Sequence, residues 1–149
     1  MRFCLAVFLF GAFACDPGWE YQPTSSPTPA TSAAVRVQLN RVSLFAGSVS
    51  ATLILENETQ TELVIDSTWF SMVDARGEHL PLIGVAVCGS TGAAAIQRAH
   101  SCEVVASYGV NPFGGFFRYN HRLQSLTFVI SKRGPEGAVN DSFPLTWKL

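Results

Sequence analysis

The sequence predicts an all-β fold, and three observations carry that expectation. Apolar residues in the body of the chain recur with a period of two, as where Val35, Val37 and Leu39 alternate with Arg36, Gln38 and Asn40. That spacing turns one face of a strand into a core and the other toward solvent. Clusters of Gly, Pro, Asn and Asp separate such runs and supply the backbone conformations that tight turns need. No window carries a convincing helical stripe, although residues 91–99 could form a short turn of helix. The composition suits one globular domain: 149 residues, 48% hydrophobic and 14% charged, with a formal net charge of -1. Eleven Phe, three Trp and three Tyr supply ample apolar area and exclude disorder throughout. Ten Lys and Arg stand against eleven Asp and Glu, and no basic run exceeds Lys132-Arg133. Nothing is left over to neutralise phosphates, so nucleic acid is not the expected partner.

In chain order, residues 1–14 read MRFCLAVFLFGAFA: one Arg, then an apolar stretch ending in small residues. This is the anatomy of a secretory signal peptide, and it falls short of the roughly 20 residues that span a bilayer as a helix. Residues Ala12-Phe13-Ala14-Cys15 resemble a bacterial lipobox, with Ala12 where that motif usually carries an aliphatic residue such as Leu. The resemblance implies a lipidated Cys15 and a membrane anchor. The same bond follows an A-x-A pattern, so ordinary signal peptidase could instead release a soluble secreted chain with a free Cys15 thiol. Such a thiol is a liability in an oxidising compartment, which favours lipidation. Residues 15–33 then form a Pro/Ser/Thr-rich tether, with Pro17, Pro23, Pro27 and Pro29 among six Ser and Thr residues. In polyproline II at about 3.1 Å per residue, it would reach about 50 Å.

Residues 34–149 make the folded domain. Strands are expected at residues 35–39 and 49–55, a polar turn at 57–61, extended segments at 63–65 and 69–73, and a turn at Asp74-Ala75-Arg76-Gly77. Further short segments follow at 80–82, 85–88, 96–106, 126–130 and 143–149. Seven to nine short antiparallel strands over about 115 residues fit an immunoglobulin-like β-sandwich better than a closed barrel.

The run SVSATLILENETQTELVIDSTWFSMVDARGEHLPL at 48–82, with SLTFVIS at 125–131 and FPLTWKL at 143–149, resembles the small immunoglobulin-like domains of bacterial envelope lipoproteins and secreted proteins. The resemblance covers roughly two thirds of the mature chain and its motifs are structural, so it implies a fold and no reaction. Among such domains are protease inhibitors and accessory or assembly factors.

Cysteine arithmetic follows from the same export reading. Cys4 leaves with the signal and Cys15 is the lipid site, so Cys88 and Cys102 remain as an even pair, expected to form a disulfide. A metal or redox pair is the alternative, but their spacing is not that of CxxC, and a zinc site needs four ligands. No catalytic site emerges. Ser90 sits in Gly-Ser-Thr-Gly rather than G-x-S-x-G, and His79, His100 and His121 are dispersed. Glu56, Glu58 and Glu62 cluster where calcium could bind, although a solvated hairpin tip explains them more simply. Asn57-Glu58-Thr59 and Asn140-Asp141-Ser142 match the glycosylation acceptor pattern. No enzyme activity, cofactor or metal is expected.

One segment invites a binding role. Residues 108–122, YGVNPFGGFFRYNHR, bring Tyr108, Phe113, Phe116, Phe117, Arg118, Tyr119 and Arg122 together around three glycines. Aromatic and arginine side chains dominate binding hot spots, and glycine lets a loop present them. The alternative is that the rings fold inward and cap the sandwich. The expected function is therefore a non-catalytic, lipid-anchored cell-envelope protein that binds a protein partner or supports an envelope assembly. A small-ligand or metal-binding periplasmic module is the alternative, and an envelope protease inhibitor a second one.

Overall fold

The computed structural model describes residues 19–24, 29–32, 35–45, 47–91, 95–110, 123–132 and 139–147. Its strands are β1 (Trp19–Pro23), β2 (Ala30–Ser32), β3 (Val35–Phe45), β4 (Ser48–Asn57), β5 (Leu63–Val64), β6 (Phe70–Val73), β7 (Leu82–Val87), β8 (Ser90–Thr91), β9 (Ala95–Ile96), β10 (Ser101–Gly109), β11 (Ser125–Lys132) and β12 (Val139–Trp147). A 3-10 turn spans Ser67–Trp69, and Leu123, just before β11, is also in 3-10 conformation. The protein is thus all-β, and every strand pairing is antiparallel. Eight strands have four residues or more: β1, β3, β4, β6, β7, β10, β11 and β12. That agrees with the expected seven to nine.

The longest hairpin shows why these residues form strands. Along β4, Val49, Ala51, Leu53 and Leu55 are buried, while Ser50, Thr52 and Ile54 between them are half-buried. Val37, Leu39, Val42 and Leu44 of β3 enter the same core. Between Leu39 and Arg41 the register shifts, so the two-residue period slips by one and Asn40 and Arg41 both face solvent. Such a bulge adds twist without exposing the apolar face. The hairpin closes at Phe45–Ser48 with Gly47 at φ 79°, a conformation that glycine adopts at no steric cost. Each fully buried Leu or Val here contributes about 1.5–3 kcal/mol.

The main sheet runs in the order β6-β11-β12-β1-β3-β4-β10-β7-β8, with β2 added beside β3. Laid flat, β10 and β11 would be far apart. Instead the Tyr108 ring meets Phe128 edge-on, with centroids 6.4 Å apart, and Phe128 stacks against Phe70 at 6.4 Å. The sheet therefore folds over itself into two layers around one core. In one respect this differs from a sandwich of two separate sheets: β1 pairs with both β12 and β3, and hydrogen bonding runs unbroken from layer to layer. A separate ribbon, β5 with β9, lies outside that path.

The boundaries depart from expectation at informative places. Residues expected to be tether include β1, with Tyr21 only 3% exposed, and β2. The alternation Trp19, Tyr21, Pro23 against Glu20 and Gln22 is a strand pattern, and Pro23 sits at its last position, where a missing N–H costs least. The segments expected at 80–82 and 85–88 are one strand, β7, and the segment at 96–106 is two, β9 and β10, divided by the turn at 97–100. Over 91–99, where the sequence allows a short turn of helix, the described residues are strand, turn and irregular backbone.

Candidate functional site

Among the described residues, a groove of about 800 Å³ lies beside β7. Val64, Ile65, Asp66 and Ser67 line one side and residues 83–87 the other, with Val105 and Ser107 of β10 completing the lining. On one flank β7 pairs with β10 over its length, but on the other β8 pairs only with Ala86 and Val87. Among the described residues, Leu82–Val85 has no strand beyond it on that flank.

Each rim presents one large aliphatic side chain to solvent. Ile83 is 66% exposed and Val64 61%, two of the three large hydrophobic side chains so exposed among the described residues. A register shift between Ser107 and Tyr108 lets Tyr108 pair with Leu82 and leaves Ile83 out of the regular pairing. Gly84 leaves open space, since a Cβ built on it would meet nothing within 4 Å. The facing wall is held by the β5–β9 pairing of Leu63 with Ile96 and by Asp66. Asp66 caps the 3-10 turn, its Oδ1 accepting from the Thr68 backbone N–H at 2.8 Å. That hydrogen bond holds its carboxyl below the usual value. The groove thus carries one persistent negative charge in an apolar lining.

The disulfide stands at the other end of β7. Cys88 and Cys102 are bonded, with Cα atoms 5.3 Å apart. Cys88 follows β7 and Cys102 lies in β10, and the Cys88 N–H donates to the Glu103 carbonyl at 2.9 Å. The bond therefore fastens β7 to its neighbour near the place where the chain turns back through Gly89 at φ 77° into β8.

The residues expected to bind a partner are only partly within view. Tyr108 is fully buried at 0% exposure, so it presents no surface and is corrected from the binding set to the core. It occupies an inward position of β10, alternating with outward-leaning Ser107 and Gly109. Burial raises its phenol pKa, and its hydroxyl has no hydrogen-bond partner among the described residues. Phe113, Phe116, Phe117, Arg118, Tyr119 and Arg122 lie outside the described residues, as do Cys15 and His121.

Two other sequence candidates acquire structural roles. Asn57, in the first glycosylation pattern, is 1% exposed. Its Nδ2 donates to the carbonyls of Thr61 and Ile96, each at 2.8 Å, and its Oδ1 accepts from the Thr59 N–H at 3.0 Å. It pins the end of β4 to the β5–β9 ribbon and offers no free amide for a glycan. Glu56 pairs with Arg36 at 3.4 Å, and Glu62 accepts from the Gln97 amide at 2.7 Å. Among the described residues no three His, Cys, Asp or Glu side chains converge as a metal site would require.

The groove had escaped the sequence reading. The sequence pattern offers only two short apolar segments here, at 80–82 and 85–88, within what is the single strand β7. That its flank is open depends on where β8 stops, a pairing no local pattern encodes.

Comparison with known proteins supports the architecture. No family model matches the chain, and no curated protein matches it. Among solved structures, it resembles a protein of unknown function from Listeria monocytogenes EGD-e, at 9% identity and a TM-score of 0.59, covering 89% of each chain. It also resembles a presumed lipoprotein (ycdA) from Bacillus subtilis subsp. subtilis str. 168, at 12% identity and a TM-score of 0.53, covering 82% of this chain. The match takes in only 39% of the ycdA chain. At these identities the likeness is one of fold, that of a β-rich domain found in bacterial proteins. No helix among the described residues is long and apolar enough to cross a membrane.

Proposed function

We propose that this chain is a non-catalytic, lipid-anchored cell-envelope protein, immunoglobulin-like in character, that binds a protein partner along the open flank of β7. The groove carries the proposal: an unpaired strand edge bordered by Ile83 and Val64 suits an extended peptide. Such a peptide gains main-chain hydrogen bonds from the edge and specificity from pockets for alternate side chains. The matching segment is aliphatic, in β conformation, with a Lys or Arg placed to meet Asp66. The lipobox-like Ala12-Phe13-Ala14-Cys15 supports an envelope location, and the fold shared with a presumed lipoprotein agrees with it.

The anchor is tested by the intact mass of protein extracted from native membranes, before and after reduction and alkylation. Acyl mass on a chain beginning at Cys15 is the expected result, and an unmodified Cys15 overturns the anchored reading. The groove is tested with a photocrosslinking residue at position 83 in the native host. A discrete crosslinked protein is expected, lost in Val85→Pro: Cys88 donates its N–H to Glu103 of β10, so by alternation along β7 the N–H of Val85 faces the open flank, and its loss blocks strand addition there. Crosslinking that survives that change overturns strand pairing as the mode of binding. The small-ligand alternative calls for a closed apolar pocket, whereas this groove is open along its length.

A further inference from the structure

The start of β1 marks one end of the molecule. Trp19 pairs with Leu44, next to the β3–β4 tip at Phe45 and Gly47. Phe45 is 61% exposed there. A row of uncharged positions continues from it across the neighbouring strands: Ser48 opposite Phe45, Gly109 opposite Ser48, then Pro81, whose carbonyl accepts from the Gly109 N–H at 2.8 Å. The nearest exposed charges on β1 and β3, Glu20 and Arg41, face each other at 3.5 Å. At the opposite end, where β4 finishes and β10 begins, stand Arg36, Glu56, Glu58, Arg98 and His100. Among the described residues of β1, β3, β4, β7 and β10, the end beside the N-terminal strand thus presents Phe45 and an uncharged row, and the end away from it presents charge.

Only Asp16, Pro17 and Gly18 separate Cys15 from β1. Four residue steps extend at most about 14 Å. We propose that the Phe45 end of the sandwich rests on the bilayer surface, with the hairpin tip in the lipid interface and the charged end directed into the aqueous compartment. This rests on the reading of Cys15 as lipidated. An anchor so short cannot hold the domain off the membrane, and the end it holds down is the one whose exposed ring gains by leaving water. Arg76, Glu78 and His79 are exposed on the turn that follows β6. They limit the contact to the headgroup region, with no deeper insertion.

The test uses the full native protein in vesicles of phosphatidylethanolamine and phosphatidylglycerol. Nitroxide labels are placed separately through Phe45→Cys and Gln60→Cys, both exposed positions, with the Cys88–Cys102 bond left oxidised. Relaxation by dissolved oxygen, which concentrates in lipid, is compared with relaxation by a water-soluble nickel chelate. A several-fold higher oxygen-to-nickel ratio is expected at position 45 than at position 60. Equal ratios in protein whose mass carries the acyl groups overturn the orientation and leave the anchor standing. A mass without acyl groups overturns the anchor and the orientation with it.

Discussion

Tyr108 shows how a residue chosen for its chemistry can belong to the core. An aromatic beside glycines reads as a binding residue, but its place in the β10 alternation turns it inward onto Phe128. Its hydroxyl lies buried without a partner among the described residues, and a buried polar group left so costs about 1–3 kcal/mol. Tyr108→Phe should therefore raise stability by about 1 kcal/mol in urea unfolding, while leaving crosslinking at position 83 unchanged. A pH effect follows from the same burial. Tyr21 and Tyr108 both have phenol pKa values raised above the ordinary 10.0, with desolvation as the cause. A raised value in the folded state means that only the unfolded chain readily releases these protons. The stabilisation is intact below pH 10 and falls as pH climbs past it. Ultraviolet titration should show their phenolate absorbance appearing together with loss of the fold.

Among the elements, β1 and β7 carry the most consequence. Treated as tether, residues 19–24 would be dispensable. As a strand between β3 and β12, they cover the backbone of both neighbours and bury Tyr21. A mature chain beginning at residue 25 should lose its cooperative unfolding transition, whereas one beginning at residue 19 should keep it. For β7, the Cys88–Cys102 bond closes a loop of about fifteen residues, a constraint worth about 3 kcal/mol. Cys88→Ser with Cys102→Ser should lower stability by about that amount, read from the shift in denaturant midpoint. Much of this architecture was legible beforehand. The alternation in β3 and β4, the turn at Asp74 and the cysteine pair are local or arithmetic signals. What escaped was decided by distant pairing. β1 was hidden by a Pro/Ser/Thr-rich neighbourhood although WEYQP alternates, and the groove beside Ile83 was hidden because an apolar run gives no sign of whether a neighbour covers its flank.

For the molecule as a whole, the proposed anchor, the Phe45 tip and the groove would form one arrangement. The groove begins at Ile83, close to the uncharged row at Pro81, and its Asp66 wall stands on the separate β5–β9 ribbon. A partner seated along β7 would meet the domain close to the membrane plane. Disulfide, buried Asn57 and unbroken sheet together make a rigid support for that edge, so binding should order the partner and leave this chain little changed. The pairing of β1 with β12 reaches further, into the order of events in the cell. Tyr21 lies opposite Trp147, so the strand made first waits for the strand made last. Until β12 has followed β1 off the ribosome, the centre of the sheet has no lock. On the proposed export route, the polypeptide would therefore thread through its channel unfolded and acquire its shape on the far side.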